Sequence, residues 1–222
     1  MVNWTVQEIL DQIQELVGEP VGGYYNITTR LKLMNQAQRE MVREARSLRD
    51  VVEIPIVANT TAYTFDADFL TYSKEQPYIK ESTGNTRKLT VVDVDFMDRT
   101  IPGWRNSNNA TGTPTHVIMI DNQSIELFPM PLTSSTLVVP YVPAPAELSD
   151  LDDTLFDGVP QLSEFALAVA YKVAGMYMLP RAPQLADQYL SSYGRLISEM
   201  RSAVNTNPQH HQYIRPTGYR RN

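Results

Sequence analysis

The chain has 222 residues, 42% of them apolar and 20% charged, a balance that suits one large folded domain or two small ones rather than a disordered polypeptide. Nineteen Lys+Arg against 25 Asp+Glu leave a formal charge of −6, which argues against a generally basic nucleic-acid coat protein. The absence of cysteine removes disulfides, thiolate metal sites and Cys nucleophiles together and fits assembly in a reducing cytoplasm. No run of 18 apolar residues predicts a membrane span, and Glu8, Asp11 and Glu15 break up the stretch where a secretory signal would lie.

Four amphipathic helical segments frame a middle that reads as strands. The first starts at Thr5, with Glu8 three residues on in the capping-box arrangement, and Val6, Ile9, Leu10, Ile13, Leu16 and Val17 form its apolar stripe. Gly18 and Pro20 end it. A second helix is expected from about Ile27 to Leu48. Its stripe is Ile27, Leu31, Met34, Ala37, Met41, Val42, Ala45 and Leu48, and its opposite face has mixed charge.

From Val51 the period falls from 3.6 towards 2. Short β-branched or aromatic runs at Val51–Val57, Thr61–Phe65, Lys88–Val94, Thr115–Ile120, Ile125–Phe128 and Thr136–Val142 predict strands. The clearest hairpin joins the fourth and fifth runs through Asp121-Asn122-Gln123-Ser124. Pro55 and Pro140 mark their runs as edge or bulged strands. Residues 66–87 and 95–114 lack a clear period and read as long loops.

Helix returns after the acidic run Asp150, Asp152, Asp153 and Asp157. Pro160 suits a first turn, and Leu162, Phe165, Ala166, Val169, Ala170, Val173, Ala174 and Tyr177 form a stripe rich in small residues. Pro180 stops this helix and Pro183 can start the next, so the two are antiparallel neighbours. Gly194 inside the last helix costs roughly 1 kcal/mol relative to Ala, and a close helix crossing there is the expected compensation.

Residues 205–222 differ in kind. They hold no acid, three arginines and two of the three histidines, so the remainder has 16 basic and 25 acidic residues, or −9. Tyr213, Ile214 and Tyr219 are possible anchors without periodicity, and the extended segment reaches roughly 60 Å at about 3.3 Å per residue. Such an arm is suited to ordering on a partner.

No catalytic signature stands out: there is no phosphate loop, dinucleotide fingerprint, nucleophile elbow or His-Glu-x-x-His. His116 reads as an ordinary strand histidine rather than a base, and His210-His211 lacks further metal ligands. The 150–158 stretch lacks the alternation and the position-12 Glu of a calcium loop, and reads as a solvated loop capping the third helix. Five Asn-x-Ser/Thr sequons (Asn3, Asn26, Asn59, Asn109, Asn122) read as turn and cap residues. Trp4, Trp104 and the tyrosines read as core and interface aromatics, since the acidic body lacks the positive groove that single-strand binding needs. No cofactor is expected.

Several stretches together carry a resemblance: Trp4-Thr5-Val6-Gln7-Glu8-Ile9-Leu10, Leu33-Met34-Asn35-Gln36-Ala37-Gln38-Arg39-Glu40, Ile54–Tyr63, Leu127-Phe128-Pro129-Met130-Pro131 and Val138-Val139-Pro140-Tyr141, followed by the closing helix pair. Across residues 4–204 the chain resembles the head-to-tail adaptor (connector, or neck) proteins of tailed bacteriophages. The resemblance implies an α+β fold: a four-helix bundle from helices at about 5–48 and 160–204, with a β-rich insertion at about 51–142, in one adaptor domain (1–204). It also implies a ring, usually of twelve copies, docked under the portal protein, extending the DNA channel and presenting a surface to tail or nozzle proteins. Genomic DNA would pass through without sequence-specific binding, helped by the −6 charge of each copy, and no membrane is involved. Such a protein is a virion neck component made in the host bacterial cytoplasm, and it is not an enzyme.

By position and physics, the 205–222 arm is expected to dock on the portal. Tyr213, Ile214 and Tyr219 would fill apolar grooves, and Arg215, Arg220 and Arg221 would meet acidic or backbone oxygens. The alternatives are another neck or tail component (head-closure or tail-tube), a peptidoglycan hydrolase using Glu164 or Asp157, or a nucleic-acid binder acting through the basic arm.

Overall fold

The computed structural model describes residues 3–18, 26–65, 68–106, 110–121 and 123–206. Helices α1 (Val6–Val17) and α2 (Ile27–Ala45) come first. Strands β1 (Asp50–Ile56), β2 (Ala62–Thr64), β3 (Phe69–Tyr72), β4 (Tyr78–Lys80), β5 (Thr86–Lys88) and β6 (Thr90–Asp93) follow. After α3 (Val94–Thr100) come β7 (Thr111–Gly112), β8 (His116–Met119), β9 (Ser124–Phe128), β10 (Met130–Pro131) and β11 (Ser135–Pro143), then α4 (Ala166–Met178) and α5 (Pro183–Thr206). The class is mixed α+β. Contacts divide the chain into two compact units, Met1–Leu48 with Ala144–Asn222, and Arg49–Pro143.

In the helical unit, α4 touches α1, α2 and α5. Thr5 closes the capping box on α1: its Oγ1 accepts from the Glu8 N–H, and its own N–H donates to Glu8 Oε2 at 2.8 Å. Gly18 ends the helix at φ 67°. Asn26 caps α2, its Oδ1 accepting the Thr29 N–H at 2.9 Å. The α2 stripe departs from expectation at two places: Ile27 is half exposed, while Arg30 and Gln38 are buried. Residues 160–165 form a 3-10 turn with Pro160 at its start, leading into α4.

The close helix crossing is at Gly175 and not at Gly194. A Cβ on Gly175 would sit 2.8 Å from Leu190 Cγ, whereas one on Gly194 would meet nothing within 4 Å. The α4–α5 contact therefore requires the glycine on α4, and Gly194 faces outward uncompensated.

The other unit is layered. A five-stranded sheet runs β1-β11-β4-β5, with β3 also pairing β11; a four-stranded sheet runs β2-β9-β8-β6. One core cluster draws on both: Ile54, Phe69, Ile79, Leu137 and Tyr141 meet Val117, Ile125 and Leu127. Because strand side chains alternate, Ile118 and Phe128 turn to the other face of the smaller sheet and pack with Met97 of α3 and Trp104.

The 121–124 hairpin forms as expected. Asp121 Oδ1 accepts the Gln123 and Ser124 N–H groups, both at 2.7 Å, and a hydrogen bond from the Ser124 side chain, with these two backbone bonds, holds its carboxyl below the usual range. The two expected long loops are in part regular structure: β3, β4 and the start of β5 lie in 66–87, and most of α3 lies in 95–114. Strands of three or four residues carry too few alternations for a period to show. The Lys88–Val94 run is also two strands. It breaks at buried Leu89, β5 pairing antiparallel with β4 and β6 parallel with β8.

Pro55 lies on the edge strand β1, as expected. Pro140 does not: β11 is central, with β1 on one side and β3 and β4 on the other. It is accommodated because β4 pairs 136–138 and β3 pairs 141–143, leaving a gap at 140 on that side. The Pro140 carbonyl faces that side and accepts from the Ser73 N–H just past the end of β3, so the N–H that proline lacks costs one bond at a strand end rather than one inside a continuous ladder.

Candidate interaction surfaces

The expected portal-contacting residues Tyr213, Ile214, Arg215, Tyr219, Arg220 and Arg221 lie outside the described residues, as do His210 and His211. The arm begins where α5 ends at Thr206. The remaining candidates can be placed. His116 lies half-buried in β8, with Nδ1 2.8 Å from Thr115 Oγ1 and the ring tilted against Phe128. Among the described residues no cluster of three or more His, Asp or Glu is arranged to hold a metal ion, and no helix is long and apolar enough to cross a membrane.

The acidic stretch is used locally. Asp153 Oδ2 accepts from the Ser149 and Asp150 N–H groups at 2.6 and 2.9 Å, and Asp157 Oδ1 accepts the Ala146 N–H at 2.7 Å. Glu164 is exposed in the 160–165 turn. Phe156, Asp157 and Gly158 all take positive φ (54°, 57° and 69°), a left-handed turn that puts the Phe156 ring in full burial. Two consecutive non-glycine residues in this region cost on the order of 1 kcal/mol or more each.

That turn is held by amides of α2. Gln38 Nε2 donates to the Ala146 carbonyl at 2.8 Å while its Oε1 accepts from the Phe156 N–H. Asn35 exchanges two bonds with the Leu148 backbone. These two bonds place Ala146–Leu148 antiparallel to α2. Gln36 Nε2 donates to Glu40, whose other oxygen lies 2.9 Å from Lys172 Nζ. Burial works against the Glu40 charge, but the Gln36 and Lys172 hydrogen bonds and the Lys172 and Arg43 charges outweigh it, so its carboxyl is held below the usual range.

Beside this ladder α2 carries an open groove of about 440 Å³ lined by Lys32, Gln36, Arg39, Glu40, Arg43 and Glu147. Lys32, Gln36, Arg39 and Arg43 follow one another at four, three and four, one exposed face of the helix. The periodic reading of α2 treated this face as generic solvated charge. The three cations are concentrated by that spacing, a signal visible in the sequence.

In the β-rich unit, Trp104 is buried, its Nε1–H donating to Asp98 at 2.8 Å and its ring covered by the Arg105 guanidinium at 4.9 Å. It therefore packs as a core aromatic. Exposed Val51, Val57, Phe96, Ile120 and Leu132, with the sheet edges β1, β5, β2 and β6, give this unit apolar and hydrogen-bonding surface. On β1 the edge is blunted: the Val51 N–H is taken by Asp50 Oδ1, Pro55 has none, and Glu53 is exposed. Asn26 caps α2 and Asn59 takes φ 63° in a turn, as turn-type sequon residues should; Asn109 and Asn122 lie outside the described residues.

No curated protein matches the chain. The family description "SU10 adaptor protein" matches residues 4–216, nearly all of the sequence, including helices α1 to α5, strands β1 to β11 and part of the 205–222 segment. The chain thus belongs to the SU10 adaptor protein family and is a bacteriophage adaptor, a structural component of the virion.

Proposed function

We propose that this protein is a non-enzymatic head-to-tail adaptor that assembles as a ring of twelve copies beneath the portal, continues the DNA channel and presents a docking surface to tail or nozzle proteins. The family match over residues 4–216 carries this reading. In it, α1, α2, α4 and α5 form a four-helix bundle, and the bundle with its β-rich insertion works as one adaptor domain. The exposed edges and apolar residues of Arg49–Pro143 supply neighbour and tail contacts, and a closed ring makes each contact between two different surfaces of the same chain. The arm 205–222 docks on the portal: Tyr213, Ile214 and Tyr219 enter apolar grooves, and Arg215, Arg220 and Arg221 meet carboxylate or carbonyl oxygens. DNA passes a surface whose copies each carry −6, which disfavours sticking.

Deleting 205–222 tests the role of the arm. The truncated protein should keep its circular dichroism and cooperative unfolding and lose attachment to purified portal-bearing particles. Attachment at the level of the full chain would remove the arm from the mechanism. Electron microscopy of particles made without the protein should show filled, tailless heads with a bare portal.

A further inference from the structure

The α2 groove has three cations and no assigned occupant. Among the described residues Lys32, Arg39 and Arg43 form no ion pair, all three are exposed, and the neighbouring Glu40 is already engaged by Gln36 and Lys172. The same unit carries a patch of opposite sign. Asp150, Leu151 and Asp152 are exposed and make no side-chain hydrogen bond or ion pair among the described residues, with Leu151 42% exposed between the two carboxylates.

This loop is preorganised. Asp153 ties down the Ser149 and Asp150 N–H groups, and the first turn of α1 donates to it, Gln7 N–H to the Leu151 carbonyl at 3.0 Å and Val6 N–H to the Asp153 carbonyl at 2.9 Å. These bonds fix the loop against the first turn of α1.

We infer that the Asp150-Leu151-Asp152 tip of one copy docks in the Lys32–Arg39–Arg43 groove of a second copy, forming part of the subunit contact of the ring. The inference rests on the ring reading above and gives it an address. Charge complementarity selects the occupant: two carboxylates flank an apolar tip, and three exposed cations, of which only Arg43 acts electrostatically on Glu40, flank a groove large enough to admit it. Two distinct surfaces of one chain that match each other are what a head-to-tail contact needs. A duplex fits less well, because its backbone would extend beyond the groove over a chain that carries −9 outside the arm, which repels phosphate.

The test is a charge swap in the full chain. Arg39→Glu with Arg43→Glu, and separately Asp150→Lys with Asp152→Lys, change exposed side chains and should leave circular dichroism unaltered. Each double variant should occupy portal-bearing particles at limiting concentration about tenfold less than wild type, from two or three lost or reversed surface pairs. An equimolar mixture of the two variants should restore occupancy. When they alternate, one interface is charge-swapped and the next is wild type in kind. The quadruple variant should do the same alone, and the milder Arg39→Gln with Arg43→Gln should fall between.

Unchanged occupancy in both double variants overturns the inference. So does a loss that neither the mixture nor the quadruple variant restores, which assigns the groove to acids of another protein. Binding of a duplex oligonucleotide that disappears with Arg39→Glu and Arg43→Glu assigns it to nucleic acid instead. Wild-type protein docking as isolated copies, seen by electron microscopy before any variant is made, would overturn the ring itself.

Discussion

Asn35 and Leu148, 113 residues apart, exchange a complete pair of hydrogen bonds: the side-chain oxygen accepts the Leu148 N–H at 2.8 Å, and the side-chain nitrogen donates to the Leu148 carbonyl at 3.0 Å. A helix side chain here does the work of a neighbouring strand. It satisfies backbone that would otherwise be half-buried without partners as the chain leaves the β-rich unit. Gln38, three residues on and almost fully buried, repeats the device at Ala146 and Phe156.

Asn35→Ala should therefore cost about 2–3 kcal/mol, more than a surface substitution of the same size, because both Leu148 groups lose their partner. Asn35→Asp keeps the acceptor and loses the donor, and should cost less than Asn35→Ala at neutral pH. Urea unfolding followed by circular dichroism measures both.

The two glycines of the closing helix pair should respond in opposite directions. Gly175→Ala drives a Cβ to 2.8 Å from Leu190 Cγ and should destabilise by about 1–3 kcal/mol, a cost that an added Leu190→Ala partly relieves. Gly194→Ala meets no atom within 4 Å on an exposed helix position and should stabilise by up to about 1 kcal/mol. Melting temperatures of the three variants decide it.

The helices were legible because their apolar stripes run for three turns or more and carry local start signals such as Thr5, Pro160 and Pro183 and the stop at Gly18. The strands past residue 66 were not, since β3, β4 and β5 are three or four residues each, and the first two pair with residues far along the chain, Tyr141 for Tyr72 of β3 and Leu137 for Ile79 of β4. Pro140 was legible in part: β11 is irregular close to it, its register against β3 shifting between Val142 and Pro143, but its central place in the sheet depends on β1, β3 and β4 and no local pattern encodes it. Asn35 and Gln38 stood inside a recognisable stretch, but their role needed the 146–156 segment brought against α2. The Lys32–Arg39–Arg43 stripe was readable from spacing alone, and only its lack of ion-pair partners needed the structure.

Tyr72 and Tyr193 predict behaviour at alkaline pH. Both hydroxyls are buried without a hydrogen-bond partner among the described residues. Burial, with Asp121 near Tyr72 and Glu44 and Glu40 near Tyr193, pushes both phenols well above the ordinary tyrosine range. Up to about pH 10 both the folded and unfolded chains keep these protons, so stability is unaffected. Above that the unfolded chain ionises first, and stability falls as pH rises towards the folded values. In a titration of phenolate absorbance, Tyr72 and Tyr193 should be among the tyrosines that ionise only with unfolding. Tyr72→Phe and Tyr193→Phe should each remove one late-ionising group and cost little, since no hydrogen bond is lost.

The arm should bind weakly alone and strongly in a ring. A single 205–222 segment offers three aromatic or aliphatic anchors and three arginines, and as a free 18-residue peptide it would lose conformational freedom on binding, which consumes part of its contact energy. In the proposed ring, binding of one arm would make binding of the next intramolecular, so avidity would exceed single-arm affinity by roughly 10²–10⁴. A synthetic peptide of residues 205–222 should thus displace assembled protein from portal-bearing particles only at that order of molar excess. Yet it should block initial docking of free protein at much lower concentration. Tyr213→Ala with Tyr219→Ala in the peptide should abolish the block, while Arg220→Gln with Arg221→Gln should weaken it and flatten its salt dependence. A peptide that blocks and displaces at the same concentration would mean that each copy docks independently.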